Sequence, residues 1–208
     1  MEHPALALVE LNSIAVGTRA ADAMVKKASV EILRVGTIHR GKYLILITGT
    51  VGSVEESFAE GLRVGGEAVV DKVFLPDVHP TVREAVLGAR RVGTYDSLGV
   101  VETANVAAVI EAADAGVKGA DVEILEVRLG DGMGGKGIVL FTGRVHDVEA
   151  AVEISVSRIR DRRTWVQQTV IPILHEDMAR HVAETTRFTP PKKRDGGTAG
   201  QRDGGTKE

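Results

Sequence analysis

Apolar residues along this chain come in short blocks. Residues 5 to 11 and 97 to 103 are runs rich in Leu, Val and Ala, too short for a stable helix, and predict strands. Ser13 and Asn105 come next at equivalent places, and each carries a side-chain oxygen suited to capping a helix. The Ala-rich segments behind them set Ile14, Ala21 and Val25, or Val106, Ile110, Ala113 and Val117, on one stripe at helical spacing. Such small residues predict helices packed close on a sheet. Further strands are predicted at 30 to 38, 43 to 51, 122 to 129 and 137 to 145. A second helix starts at Ser53 or Asp147, with Glu55 and Glu56, or Glu149, near its positive end. A last strand, 68 to 75 or 165 to 171, leads into Pro-x-x-His and a short helix. The order βαββαβ, twice over, predicts an α+β protein of two ferredoxin-like modules.

The two halves are copies. Leu6-Ala7-Leu8-Val9-Glu10 aligns with Leu98-Gly99-Val100-Val101-Glu102, Ala20-Ala21-Asp22-Ala23 with Ala112-Ala113-Asp114-Ala115, and Val30-Glu31-Ile32-Leu33 with Val122-Glu123-Ile124-Leu125. About half of the first thirty positions are identical, which marks a duplication. Gly41-Lys42 then aligns with Gly135-Lys136 after a loop that is longer in the second copy, and Pro76 and His79 align with Pro172 and His175. The expected boundaries are 1–92, 93–188, and a polar tail, 189–208, that lacks large apolar residues and is expected to be disordered.

Composition narrows the function classes. The chain has 208 residues, 43% hydrophobic and 26% charged, an ordinary globular balance. Aromatics are 3% and the net charge is -3, which argues against nucleic-acid partners and against attraction to anionic membranes. From Arg187 onward six basic residues face three acidic ones, so the body is more acidic than the total. There is no cysteine, so disulfides, thiol nucleophiles and cysteine-ligated iron–sulfur clusters are excluded. No secretory leader pattern and no run near 20 apolar residues is present, and the expectation is a protein of the cytoplasm.

Val9-Glu10 and Val101-Glu102 closing strand one, Asp22 to Lys26 and Asp114 to Lys118 on the first helix, Gly41-Lys42 and Gly135-Lys136 after the loop, and Pro-x-x-His near the end resemble the bacterial microcompartment (BMC) shell protein domain. Two unpermuted copies in one chain resemble the tandem-domain, propanediol-utilization type. The resemblance implies a homotrimer of six similar domains, a pseudohexamer, tiling with other shell proteins around encapsulated enzymes in the bacterial cytoplasm. It implies a structural protein with a central pore for metabolites and no catalytic centre. It also places Lys26, Lys118, His79 and His175 toward the tile edge. Asp77 and Ile173 stand where relatives carry an edge arginine.

In this family the loop between strands two and three lies nearest the axis. That implies a pore lined by His39, Arg40 and Gly41 from one copy and Gly130, Asp131, Gly132, Met133 and Gly134 from the other. Relatives of the propanediol type hold an iron–sulfur cluster through a cysteine where this chain has His39. Three imidazoles on a threefold axis suit a divalent zinc, nickel or copper ion, whereas the plainer expectation is a polar pore in which Arg40 favours anions.

Gly130-Asp131-Gly132-Met133-Gly134-Gly135 also fits a dinucleotide-binding G-x-G-x-x-G. That motif must open a helix, and here it runs into Ile138-Val139-Leu140-Phe141-Thr142, a strand pattern. No nucleophile elbow, H-E-x-x-H or adjacent carboxylate pair is legible, so no catalytic residue is expected. The alternatives to a shell tile are a small-molecule-binding regulatory protein built from paired ferredoxin-like domains and a metal or electron carrier at the pore.

Overall fold

The computed structural model describes residues 5–93 and 96–188. The expected tail, 189–208, lies outside the described residues. In the first half β1 (Ala5–Leu11), α1 (Ile14–Lys27), β2 (Glu31–Ile38), β3 (Lys42–Gly49), α2 (Val51–Gly65), β4 (Val69–Leu75) and α3 (Pro80–Val86) come in order. The second half repeats them as β5 (Leu98–Thr103), α4 (Val106–Gly119), β6 (Val122–Leu129), β7 (Gly137–Gly143), α5 (Val145–Arg158), β8 (Trp165–Ile171) and α6 (Glu176–Glu184). The sheets are antiparallel, ordered β2-β3-β1-β4 and β6-β7-β5-β8, which is the ferredoxin-like arrangement the sequence predicts.

Strand β1 is buried on both faces, which explains why it is apolar at every position but Glu10. Ala5, Ala7, Val9 and Leu11 meet α1 and α2, while Leu6 and Leu8 turn to the face covered by α3. That second face is continuous with the core of the second half, through Val106, Ile110, Val139 and Phe141. The halves are thus joined by shared apolar packing. Helices α4 and α5 approach closely at Gly116, where a Cβ would collide with Ser155 Oγ and lie 2.7 Å from Phe141 Cζ.

Two expectations need correction. The second helices start two residues early, at Val51 and Val145. In the first copy the reason is Thr50, which supplies the cap, its Oγ1 accepting from the Ser53 amide at 3.3 Å. The stripe on α1 is also only partly a core face. Gly17, Ala20, Ala21 and Met24 are buried, but Ile14 is 46% exposed where its counterpart Val106 is 0% exposed. Val106 lies against the first half, and Ile14 has no equivalent cover among the described residues.

Candidate functional site at the seam and the inner loops

Glu10 is an acidic residue on an otherwise apolar strand, and its side chain is fully buried. Its Oε1 accepts from Lys42 Nζ at 2.6 Å, and its Oε2 accepts from the backbone amides of Val106 and Ala107 at 2.8 and 3.3 Å. The first half therefore caps the first helix of the second, placing negative charge at the positive end of α4. Asn105, read from sequence as that cap, is not one. Its Oδ1 accepts from Lys42 Nζ at 2.9 Å instead. Ser13 does cap α1, accepting from the Val16 amide at 3.4 Å. Asp71 stands opposite Glu10 on β4, and burial raises the pKa of both carboxyls above the ordinary range, outweighing the lysine and the amides that favour ionisation.

Further out along the same seam, buried Asp114 accepts from the His79 amide at 2.8 Å and from Lys118 Nζ at 2.7 Å. Lys118 also donates to the Asp77 carbonyl. The structure thus brings two of the expected edge residues, His79 and Lys118, together between the halves. Their counterparts are exposed. Lys26 pairs with Asp22 on its own helix, at 2.6 Å, and Ile173 beside His175 is bare. Both histidines cap the helix after them, the Nδ1 of His79 accepting from the Thr81 amide at 3.3 Å and that of His175 from the Asp177 amide at 3.2 Å.

The two loops expected at a pore are also in contact. His39, Arg40 and Gly41 form a single tight turn, with Arg40 in the left-handed region at φ 71°. The second loop bends back through Gly130, Gly132, Gly134 and Gly135, all at positive φ. Its Gly132 amide donates to His39 Nδ1 at 3.0 Å, and Asp131 Oδ1 lies 3.5 Å from the same nitrogen. At Gly130 a Cβ would push the Ile38 Cδ1 aside, and the positive φ strains any side chain there. The loop runs directly into β7, so the glycine motif does not open a helix.

Sequence reasoning named Glu10 and Lys42 as motif residues but missed their joint role at the seam. The available signal was the repetition of Glu and Gly-Lys at Glu102 and Gly135-Lys136. In the second copy Glu102 and Lys136 pair at 2.6 Å, as Glu10 and Lys42 do, but in more exposed surroundings.

Comparison with known proteins reflects the same duplication. The BMC domain family matches the chain twice, over residues 5–78 and 97–174. The chain belongs to the BMC shell protein family. It is 39% identical to the bacterial microcompartment shell protein PduT of Citrobacter freundii over 86% of this chain and 98% of that one. It is 26% identical to the carboxysome assembly protein CcmO of a Synechocystis strain, over 84% of this chain and 63% of that one. A microcompartment protein from Desulfitobacterium hafniense superposes with a TM-score of 0.76 at 39% identity, covering 86% of this chain and 99% of its own. The fused permuted hexameric shell protein of the RMM microcompartment, 22% identical, shares the fold with a TM-score of 0.56 over 75% of this chain and 83% of its own.

Within this BMC chain an iron–sulfur cluster of the cysteine-held kind does not fit. The sequence has no cysteine, and the Nδ1 of His39 is engaged by Gly132. Among the described residues no three His, Asp or Glu side chains group as a metal site, and no helix is long and apolar enough to cross a membrane.

Proposed function

We propose that the chain is a structural tile of a microcompartment shell, closed with two further copies into a trimer of six similar domains. One observation carries this reading. Surfaces buried at the seam between the two halves have open counterparts on the outer flanks of the chain. Helix α3 packs on β6, so Ile124 and Val127 are 3% and 5% exposed, while the matching Ile32 and Val35 on β2 are 38% and 44% exposed. Helix α6, the counterpart of α3, has no buried residue. A head-to-tail contact formed once inside a chain, with both halves of it free at the ends, is repeated by further copies and closes a ring when the rotation from one domain to the next is one sixth of a turn.

In such a ring the β2–β3 and β6–β7 loops of each copy surround the axis. His39, Arg40 and Gly41 with Gly130, Asp131, Gly132, Met133 and Gly134 then line a polar pore for metabolites, with no catalytic residue required. Lys26, Lys118, His79 and His175 lie where each domain meets the next, toward the outer edge that contacts other shell proteins. A divalent metal on the axis is the second reading. The Gly132 contact weighs against it, because an Nδ1 that accepts from an amide places the ring proton on Nε2, and ligation would require that contact to be given up. Metal analysis at one ion per three chains supports it, and protein that stays metal-free after zinc exposure counts against it.

Negative-stain electron microscopy of concentrated protein tests the tile. Flat arrays with hexagonal spacing are expected. Dispersed particles at every concentration, alone and with other shell proteins, would contradict it.

A further inference from the structure

The cavity at the junction of β2, β6 and the chain leaving α6 measures ≈ 220 Å³, and its wall holds Arg34, Arg90, Arg128 and Arg187 against Glu126 and Asp131. Of the two carboxylates Glu126 is already committed, whereas Asp131 is exposed and only approaches His39. Glu126 Oε1 lies 3.2 Å from Arg90 Nε, and its Oε2 accepts from Thr186 Oγ1 at 2.5 Å. Arg90 is likewise committed, donating to the Val182 and Glu184 carbonyls at 2.7 and 2.8 Å.

Three guanidiniums, those of Arg34, Arg128 and Arg187, make no direct ion pair among the described residues. Arg34 makes one long hydrogen bond, 3.4 Å to the Val86 carbonyl. Arg128 reaches the Thr186 and Asp131 carbonyls at 3.2 and 3.3 Å, and its Nε is buried with no hydrogen-bond partner among the described residues. Burial, and after it the charge of Arg187, holds the Arg128 pKa below its ordinary value, with Glu126 acting in the opposite sense. The repeat sharpens the point. Arg34 and Glu126 occupy equivalent places, each at the bulge of its strand, so the first half carries a cation where the second carries the anion that neutralises Arg90.

We propose that this cavity binds a small oxyanion of the phosphate class, either free phosphate or the phosphoryl end of a small metabolite, held by Arg34, Arg128 and Arg187. Guanidinium forks match phosphate oxygens in geometry as well as charge.

Calorimetric titration of the full-length, assembled protein at low salt with inorganic phosphate, then with glycerol 3-phosphate, tests this. One anion per chain is expected, with a Kd on the order of 1 mM or tighter. Arg34→Gln and Arg187→Gln, both at exposed positions, should each weaken binding roughly tenfold, while Arg163→Gln, outside the cavity, leaves it unchanged. Tighter binding of glycerol 3-phosphate assigns the site to a phosphorylated metabolite, and binding of inorganic phosphate alone assigns it to the free ion. No saturable binding, or binding that survives both Arg34→Gln and Arg187→Gln, would overturn the proposal. Particle mass measured on the same samples separates this outcome from a failure of the tile reading.

Discussion

The carboxylate of Glu10 and the ammonium of Lys42 meet at 2.6 Å, with Glu10 fully buried and Lys42 nearly so. This pair sits on two neighbouring strands of the first half yet serves the second, since Glu10 also holds the first two amides of α4. Breaking a buried pair strands the remaining charge. Glu10→Ala should therefore destabilise the chain by about 3–5 kcal/mol, measured by chemical denaturation. A change within error of zero would show that the seam does not depend on this pair.

The pH dependence of the same pair has a definite sign. The folded pKa of Glu10 is raised by burial, so the stabilisation associated with its protonation is complete below the unfolded value and is lost as pH rises through the folded value. Asp71 is shifted the same way. Wild type should lose stability relative to Glu10→Gln as pH climbs from the ordinary carboxylate range toward neutrality, read from thermal melts of both proteins. A wild-type advantage that grows with pH would refute the assignment.

Asp114 and Asp22 are equivalent in sequence but not in surroundings. Asp114→Ala removes the acceptor of the His79 amide and leaves Lys118 only its bond to the Asp77 carbonyl, and should cost about 2 kcal/mol in chain stability. Asp22 is exposed, and Asp22→Ala should leave the fold of the isolated chain intact while weakening assembly, seen as a fall in particle mass on dilution. Equal effects of the two substitutions on unfolding and none on mass would contradict the repeated-seam reading.

The inner loops give a local test. His39→Ala removes the acceptor of the Gly132 amide, so that amide should exchange its hydrogen faster while global stability hardly changes. Unchanged exchange would show that the loops are not tied through His39. Gly130→Ala, which forces a Cβ into Ile38 at positive φ, should cost about 1–3 kcal/mol in the same protein.

Strand and helix order was legible in the sequence because each block is decided locally. The run from Ala5 to Leu11 and the cap at Ser13 carry their own signals. The features that depend on contacts between the copies were not legible. Asn105 has the side chain of a cap, but Glu10, 96 residues before Val106, supplies that function and Lys42 takes the amide oxygen. Ile14 and Val106 are indistinguishable by hydrophobic spacing, and only the seam decides that one is covered and the other bare. The arginine cavity escaped for the same reason, since Arg34 and Arg128 come from different copies and meet only in the folded chain.

Light scattering on the purified full-length chain, across a range of concentrations, measures whether the open flanks are satisfied by further copies. The repeated seam predicts a particle with the mass of three chains. A chain that remains a monomer, or stops at a dimer, at every concentration would contradict it.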